Sequence, residues 1–159
     1  MRHLPKHLQP RWRYLAVELT TWPDYAPDRD TFQRELYYSA QNLLGDAGSA
    51  RLDLSVVRFR GDDAGAEAVV RVYRGHVSSA RAALACLNTI DAEPVGVRVR
   101  GISGTIRACE EKYMGRGLQQ REERDVVFEN ADRTAHCLDD RADICVGDAF
   151  VGATTLDFE

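Results

Sequence analysis

A chain of 159 residues, 44% of them hydrophobic, is about one domain's worth of sequence and can bury one ordinary core. Lysine and arginine total 21 against 25 aspartates and glutamates; the net charge of −4 excludes a surface that is basic all over and leaves a local basic patch open. The longest uninterrupted apolar run, residues 82–87, is too short to span a membrane, and the basic residues 1–10 lack the apolar stretch of a secretory signal, so the sequence reads as cytoplasmic.

Residues 12–19, Trp-Arg-Tyr-Leu-Ala-Val-Glu-Leu, alternate in polarity and predict a first strand, ended by a loop holding Pro23 and Pro27. Asp30 with Gln33 three residues on resembles a capping box, aspartate standing where serine or threonine is usual. Phe32, Leu36, Tyr37, Ala40, Leu43 and Leu44 then form a helical stripe, with Gly45 expected just past its end. Residues 52–60 predict a second strand, 61–65 a glycine-flanked hairpin loop, and 67–74 a third strand. Residues 78–87 predict an alanine-rich second helix. Pro94 introduces a fourth strand at 95–102, with Val95, Val97 and Val99 on one face and Arg98 and Arg100 on the other. Residues 104–114 predict a third helix, closed by Gly115 and Gly117.

The order β-α-β-β-α-β-α is that of an α+β, ferredoxin-like (split βαβ) sandwich, with a four-stranded antiparallel sheet and two helices on one face. The third helix is expected over the open face or at an end. A boundary near Leu118 separates a body, residues 1–117, from an acidic C-terminal extension, residues 118–159, in which 126–128 and 149–158 predict short strands.

Arginine outnumbers lysine 19 to 2, Lys6 and Lys112 being the only lysines, and 15 of the 25 acids are aspartate. Guanidinium suits bidentate phosphate and carboxylate contacts. An aspartate-rich, lysine-poor surface also suits solubility in concentrated salt, and a GC-rich genome yields the same skew without a physical purpose. Residues 1–117 carry 17 basic and 14 acidic side chains; residues 118–159 carry 4 and 11. Such a tail is either a solvated extension or a segment that keeps a nucleic-acid-binding body soluble or pairs with a basic patch on a partner. Cys86, Cys109, Cys137 and Cys145 are spaced 23, 28 and 8 apart with no Cys-x-x-Cys. Cys86 and Cys109 read as small core residues. His136, Cys137 and Cys145 are either a weak metal-ligand set or structural.

Phosphate-loop, nucleophile-elbow and zinc-protease motifs are all missing from the sequence. Glu110 and Glu111 are adjacent and leave a helix about 100° apart, which suits a solvated face better than a catalytic pair. His76, after Arg74-Gly75, stands at a strand-to-helix turn where it caps the helix or meets a phosphate. Arg11 and Arg13 flank Trp12 beside Tyr14, with Lys6 and His7 upstream, and basic residues interleaved with aromatics suit phosphate contact plus stacking. Arg58 and Arg60 share one strand face, as do Arg98 and Arg100. The glycine-rich turn into the third helix, residues 101–107, offers free amides to a phosphate. Residues 68–73 lack the aromatic-rich pattern that stacks single-stranded bases in an RNA recognition motif, so shape and phosphate recognition of a structured RNA fit better.

Three segments resemble the archaeal ribonuclease P protein component 2 family, relatives of the smaller eukaryotic ribonuclease P/MRP subunits. They are the N-terminal stretch from Leu4-Pro5-Lys6-His7-Leu8 to Pro10-Arg11-Trp12-Arg13-Tyr14-Leu15, the strand and turn Val70-Arg71-Val72-Tyr73-Arg74-Gly75-His76, and Gly101-Ile102-Ser103-Gly104-Thr105-Ile106-Arg107 continuing to Tyr113. The likeness spans residues 1–115, and the acidic bias beyond it resembles members from halophilic archaea. The resemblance implies a subunit of the ribonucleoprotein that removes the 5′ leader from precursor tRNA. Its chemistry is expected in the RNA with Mg2+, none of it bound by this chain, and it is expected to act with a second protein subunit of barrel-like fold. Lys6, Arg11, Arg13, Arg71, Arg74, His76, Thr105, Arg107 and Lys112 are the candidates for RNA contact. Ile106, Cys109 and Tyr113 are candidates either for protein contact or for internal packing. Two rivals are a ferredoxin-like domain that binds a small regulatory molecule at a dimer interface and has no RNA role, and a metal-dependent nuclease acting alone.

Overall fold

The computed structural model describes residues 4–62, 65–115 and 121–158. β1 (Trp12–Thr21) is the central strand of the body: Leu15, Val17 and Leu19 point into the main core, while Ala16 packs on the opposite face. α1 (Arg29–Leu52) follows, then β2 (Ser55–Asp62), β3 (Gly65–Tyr73), α2 (Val77–Cys86), β4 (Thr89–Ile90), β5 (Glu93–Ser103) and α3 (Ile106–Tyr113). The five strands form one antiparallel sheet in the order β2-β3-β1-β5-β4. Phe32, Leu36 and Ala40 of α1 and Ala80, Ala83 and Leu84 of α2 bury against alternate residues of the sheet, the arrangement the two sequence periods prescribe.

The body thus keeps the predicted order of elements but has five strands rather than four, because Thr89–Ile90 pairs with Glu93–Pro94 in a short hairpin. α3 lies on the open face, where Cys109 packs with Ala16 and Val69, flanked by Tyr14, Val57, Tyr113 and Met114. Gly101 permits this approach, since a Cβ there would stand 2.2 Å from the Tyr113 ring. The apolar side of α3 is therefore spent on internal packing at Cys109 and Tyr113.

Two helix boundaries differ from expectation. Asp28, not Asp30, caps α1: its carboxylate accepts from the Thr31 amide (2.8 Å) and hydroxyl (3.0 Å). Gln33 is then free to accept from the Val56 amide (2.7 Å) while Arg29 donates to the Val56 carbonyl (2.7 and 3.1 Å), so the start of α1 satisfies the outer edge of β2. Gly45 takes a positive φ of 71°, as a terminating glycine does, yet the chain re-enters helix at once and ends at Asp53 in the left-handed region. Leu52 belongs to that second helical segment, where it is buried, and the strand begins only at Ser55.

Beyond the body, β6 (Glu122–Phe128), β7 (Ala131–Leu138), β8 (Arg141–Val146) and β9 (Ala149–Thr154) form a second antiparallel sheet in sequential order. Its small core holds Val126, Ala135, Cys137, Ala142 and Ile144, with Phe128 and Phe158 packed on it. β7 and β8 went unread in the sequence. The turn before β7 uses Glu129 and Asn130, both at positive φ, where Asn-Gly is the usual signal. The tip of the body's hairpin at 63–64, Gly117 and the boundary at Leu118 lie outside the described residues.

Candidate nucleic-acid interface

The antiparallel pairing of β1 with both β3 and β5 brings three chain segments to one end of the sheet: the start of β1, the exit of β3 and the exit of β5. Trp12 pairs with Tyr73 and Tyr14 with Ser103, so Arg11, Arg13, Arg74 and the turns into α2 and α3 are neighbours there. The Arg74 amide donates to the Arg11 carbonyl (2.8 Å), and the Arg13 guanidinium lies 3.2 Å from where a Cβ on Gly104 would be. Thr105 caps α3 by accepting from the Ala108 amide (3.1 Å), leaving the first amides of that helix without helical acceptors. His76 occupies the cap position of α2, but its side chain makes no capping hydrogen bond, which removes the capping role considered from sequence.

Arg11 and Arg74 are exposed and Arg13 half-buried; none of the three forms an ion pair or side-chain hydrogen bond among the described residues. Arg71 stands further in on the open face, its guanidinium over the Trp12 ring (3.9 Å) and 4.0 Å from Asp53. Lys6 lies in the exposed turn closed by the Leu8 amide on the Pro5 carbonyl (2.8 Å). Arg107 is exposed at the start of α3 and paired with Glu111 (2.8 Å), and Lys112 is in the last turn of that helix. Of the nine sequence candidates, Arg11, Arg13, Arg74, His76 and Thr105 gather at one sheet end. Arg71 borders them, and Lys6, Arg107 and Lys112 stand apart along the N-terminal segment and α3.

The arginine pairs noticed in sequence on β2 and β5 have other work. Glu18 and Glu67, on the same open face, bind them: Arg98 to Glu18 (2.7 Å), Arg100 to Glu18 (2.6 Å) and Glu67 (3.3 Å), and Arg60 to Glu67 (3.0 Å). Arg58 pairs with Glu110 (3.3 Å). Burial pushes the Glu18 carboxyl up, and the hydrogen bonds from Arg100 and Arg98 more than offset this, holding it below its ordinary range. Glu67 was missed because its role depends on strands paired across the sheet. The available signal was two-residue alternation, which sets Glu67 on the same face as Arg71.

In the second sheet, His136 and Cys137 are consecutive strand residues, so their side chains leave opposite faces and cannot converge on one ion. Cys137 is buried in the small core while His136 meets Phe150 edge-on (5.9 Å). No group of three metal-ligating side chains occurs among the described residues. The second sheet meets the body where Trp22 stacks on Phe150 (5.9 Å) and where Arg121, nearly buried, reaches the Thr21 carbonyl and Asp143 (3.7 Å). Burial pushes the Asp143 carboxyl up and the Arg121 guanidinium down.

The class of protein that this fold and site define is an α+β sandwich whose sheet end gathers arginines with no ion pair among the described residues, a candidate nucleic-acid-binding surface. The model of the Rpp14/Pop5 family matches residues 13–114, and the chain belongs to that family. It is similar to Ribonuclease P protein component 2 of Halorubrum lacusprofundi, 57% identical over 159 residues and 100% of both chains, and to that of Haloarcula marismortui, 58% identical over 160 residues and 99% of each. That of Methanosarcina barkeri is 30% identical over 114 residues, covering 72% of this chain and 80% of its own. The first two alignments run through the second sheet; the family model stops short of it.

Proposed function

We propose that this chain is a protein subunit of ribonuclease P, supporting the catalytic RNA as it removes the 5′ leader from precursor tRNA. Family membership supports the reading. The observation that carries it in this molecule is the allocation of charge. Arg60, Arg98 and Arg100 are neutralised by Glu18 and Glu67, whereas Arg11, Arg13 and Arg74 converge on one sheet end with no carboxylate partner among the described residues. Unpaired guanidiniums beside two helix starts suit phosphate oxygens. In this reading Arg11, Arg13, Arg74, His76 and Thr105 contact the RNA backbone, Arg71 borders them, and Lys6, Arg107 and Lys112 extend the footprint.

The cleavage chemistry rests with the RNA and its Mg2+, and this chain supplies charge and shape. The chain acts together with a second protein subunit of barrel-like fold, in the cytoplasm. Residues 1–117 form the RNA-binding domain, and residues 118–159 are an acidic extension whose sheet rests against it through Trp22–Phe150 and Arg121–Thr21. In molar salt the Debye length is about 3 Å, counterion release contributes little, and short-range guanidinium contacts carry the affinity. A mobility shift with ribonuclease P RNA at several salt concentrations, with and without the partner protein, tests the assignment. Indifference to that RNA under all conditions sinks it. Truncation after Gly117 is expected to leave RNA affinity within about threefold, because the arginine cluster lies in the body; a larger loss would give the extension a share of the contact.

A further inference from the structure

The open face of the sheet carries an aromatic feature that phosphate recognition does not use. Trp12 and Tyr73 are the last paired residues of the β1–β3 ladder, and their rings stack at 4.2 Å with 12° between planes. Neither neighbouring strand reaches this rung. β2 begins at Ser55, opposite Arg71, and β5 ends at Ser103, opposite Tyr14. The ring pair therefore projects beyond the strands on both sides. Tyr14 and Tyr113, by contrast, pack around α3. Both rings of the stack are half-buried, and neither the indole N–H nor the phenol hydroxyl finds a hydrogen-bond partner among the described residues. Arg71 lies over Trp12, and the unpaired Arg11 and Arg74 are the chain neighbours of Trp12 and Tyr73.

We infer that the outer face of Tyr73, backed by Trp12, is a stacking platform for an unpaired nucleobase at the sheet end where Arg11 and Arg74 stand. The inference rests on the RNA-binding reading above and adds to it a nucleotide extruded from the RNA's helices. Tyr73 covers one face of Trp12 and Arg71 the other, so the π-surface of the pair that neither covers is the outer face of Tyr73, at the end of the two central strands. Base stacking on such a surface tolerates any base and is insensitive to salt, unlike the phosphate contacts around it. A base inside a duplex hides both faces against its neighbours, so only an unpaired one can enter. Residues 68–73 lack an aromatic-rich run, but the platform needs only one aromatic from each strand, and Trp12 supplies the second.

Trp22→Phe keeps a ring against Phe150 and leaves Trp12 as the sole tryptophan. In that background, Trp12 emission is followed in molar potassium chloride during titration with an oligoadenylate of about ten nucleotides, and separately with a blunt RNA duplex of equal length. The expected result is saturable quenching by the single strand and none by the duplex. Tyr73→Leu should weaken the single-strand affinity about tenfold, and Tyr73→Phe should retain it. The same variants are then assayed on ribonuclease P RNA beside Arg74→Ala. If single strand and duplex quench alike, or Tyr73→Leu binds as the parent does while Arg74→Ala weakens binding, the platform is overturned and the RNA-binding reading stands. If the parent chain binds no ribonuclease P RNA, both fall.

Discussion

Glu18 and Glu67 face each other across the β1–β3 ladder, two carboxylates in register on one face of the sheet. Uncompensated, such a pair repels. Arg100, the extra residue where β5 slips register against Ala16 and Val17, donates to both, and Arg98 and Arg60 extend the chain of charge outward. Four adjacent strands are thereby joined on the face that α3 only partly covers.

Glu67→Gln tests that joint. Its side chain is only 2% exposed and serves two guanidiniums, so the substitution is expected to cost about 2–4 kcal/mol in chemical denaturation. A cost below about 0.5 kcal/mol would mean that solvent already screens the network.

The same network gives an acid limit. The Glu18 carboxyl is held below 4.5 when folded, so its contribution is fully present above that pH and is lost as pH falls through the folded value. Denaturation midpoints should therefore drop more steeply below about pH 4.5 in the parent than in Glu18→Gln. Parallel curves for the two would remove Glu18 from the acid transition.

Paired and unpaired arginines should separate in assay. Arg11→Ala or Arg74→Ala is expected to weaken RNA binding by about 1–3 kcal/mol and leave stability nearly unchanged. Arg100→Ala should do the reverse, because its guanidinium is committed to Glu18 and Glu67. Arg107→Ala should weaken binding by a similar 1–3 kcal/mol if its guanidinium leaves Glu111 for a phosphate; unchanged affinity assigns it to the Glu111 pair alone.

Gly101→Ala probes how α3 is seated. The new methyl would meet the Tyr113 ring, and the expected loss is about 1–3 kcal/mol. Combined with Tyr113→Ala, the two losses should sum to less than their separate values, since the clash is then gone. Strict additivity would argue that the ring moves aside freely.

The cysteines offer a chemical readout of the same packing. Cys109 is buried, as its sequence context suggests, and its thiol is pushed up to about 11, by burial first and then by Glu110, whereas Cys86, expected in the core, is exposed on α2. A maleimide at neutral pH should label Cys86 quickly and Cys109 only on unfolding. Rapid labelling of Cys109 in the folded chain would show α3 lifting from the sheet.

The strand at 12–19, the helix through 32–44 and the valine face of 95–99 were legible in sequence, because each depends on repeats two to four residues apart. So were the start of α3 and the basic character of the N-terminal stretch. The short β4, the helical segment beyond Gly45 and the strands β7 and β8 were not. Their local patterns are weak, and pairing or burial by distant partners stabilises them.

The allocation of arginines lay further out of reach. In the sequence, Arg98 and Arg100 look as available for phosphate as Arg11 and Arg74. Arg100 finds its carboxylates 33 and 82 residues away in the chain, and it does so because sheet order sets β5 beside β1 and β1 beside β3. Local repeats are written in neighbouring residues, which is why chain order, strand faces and the absence of familiar catalytic motifs could be read directly. Which guanidiniums remain unpaired, and that Trp12 meets Tyr73, follow from long-range strand register, a property of the folded sheet as a whole.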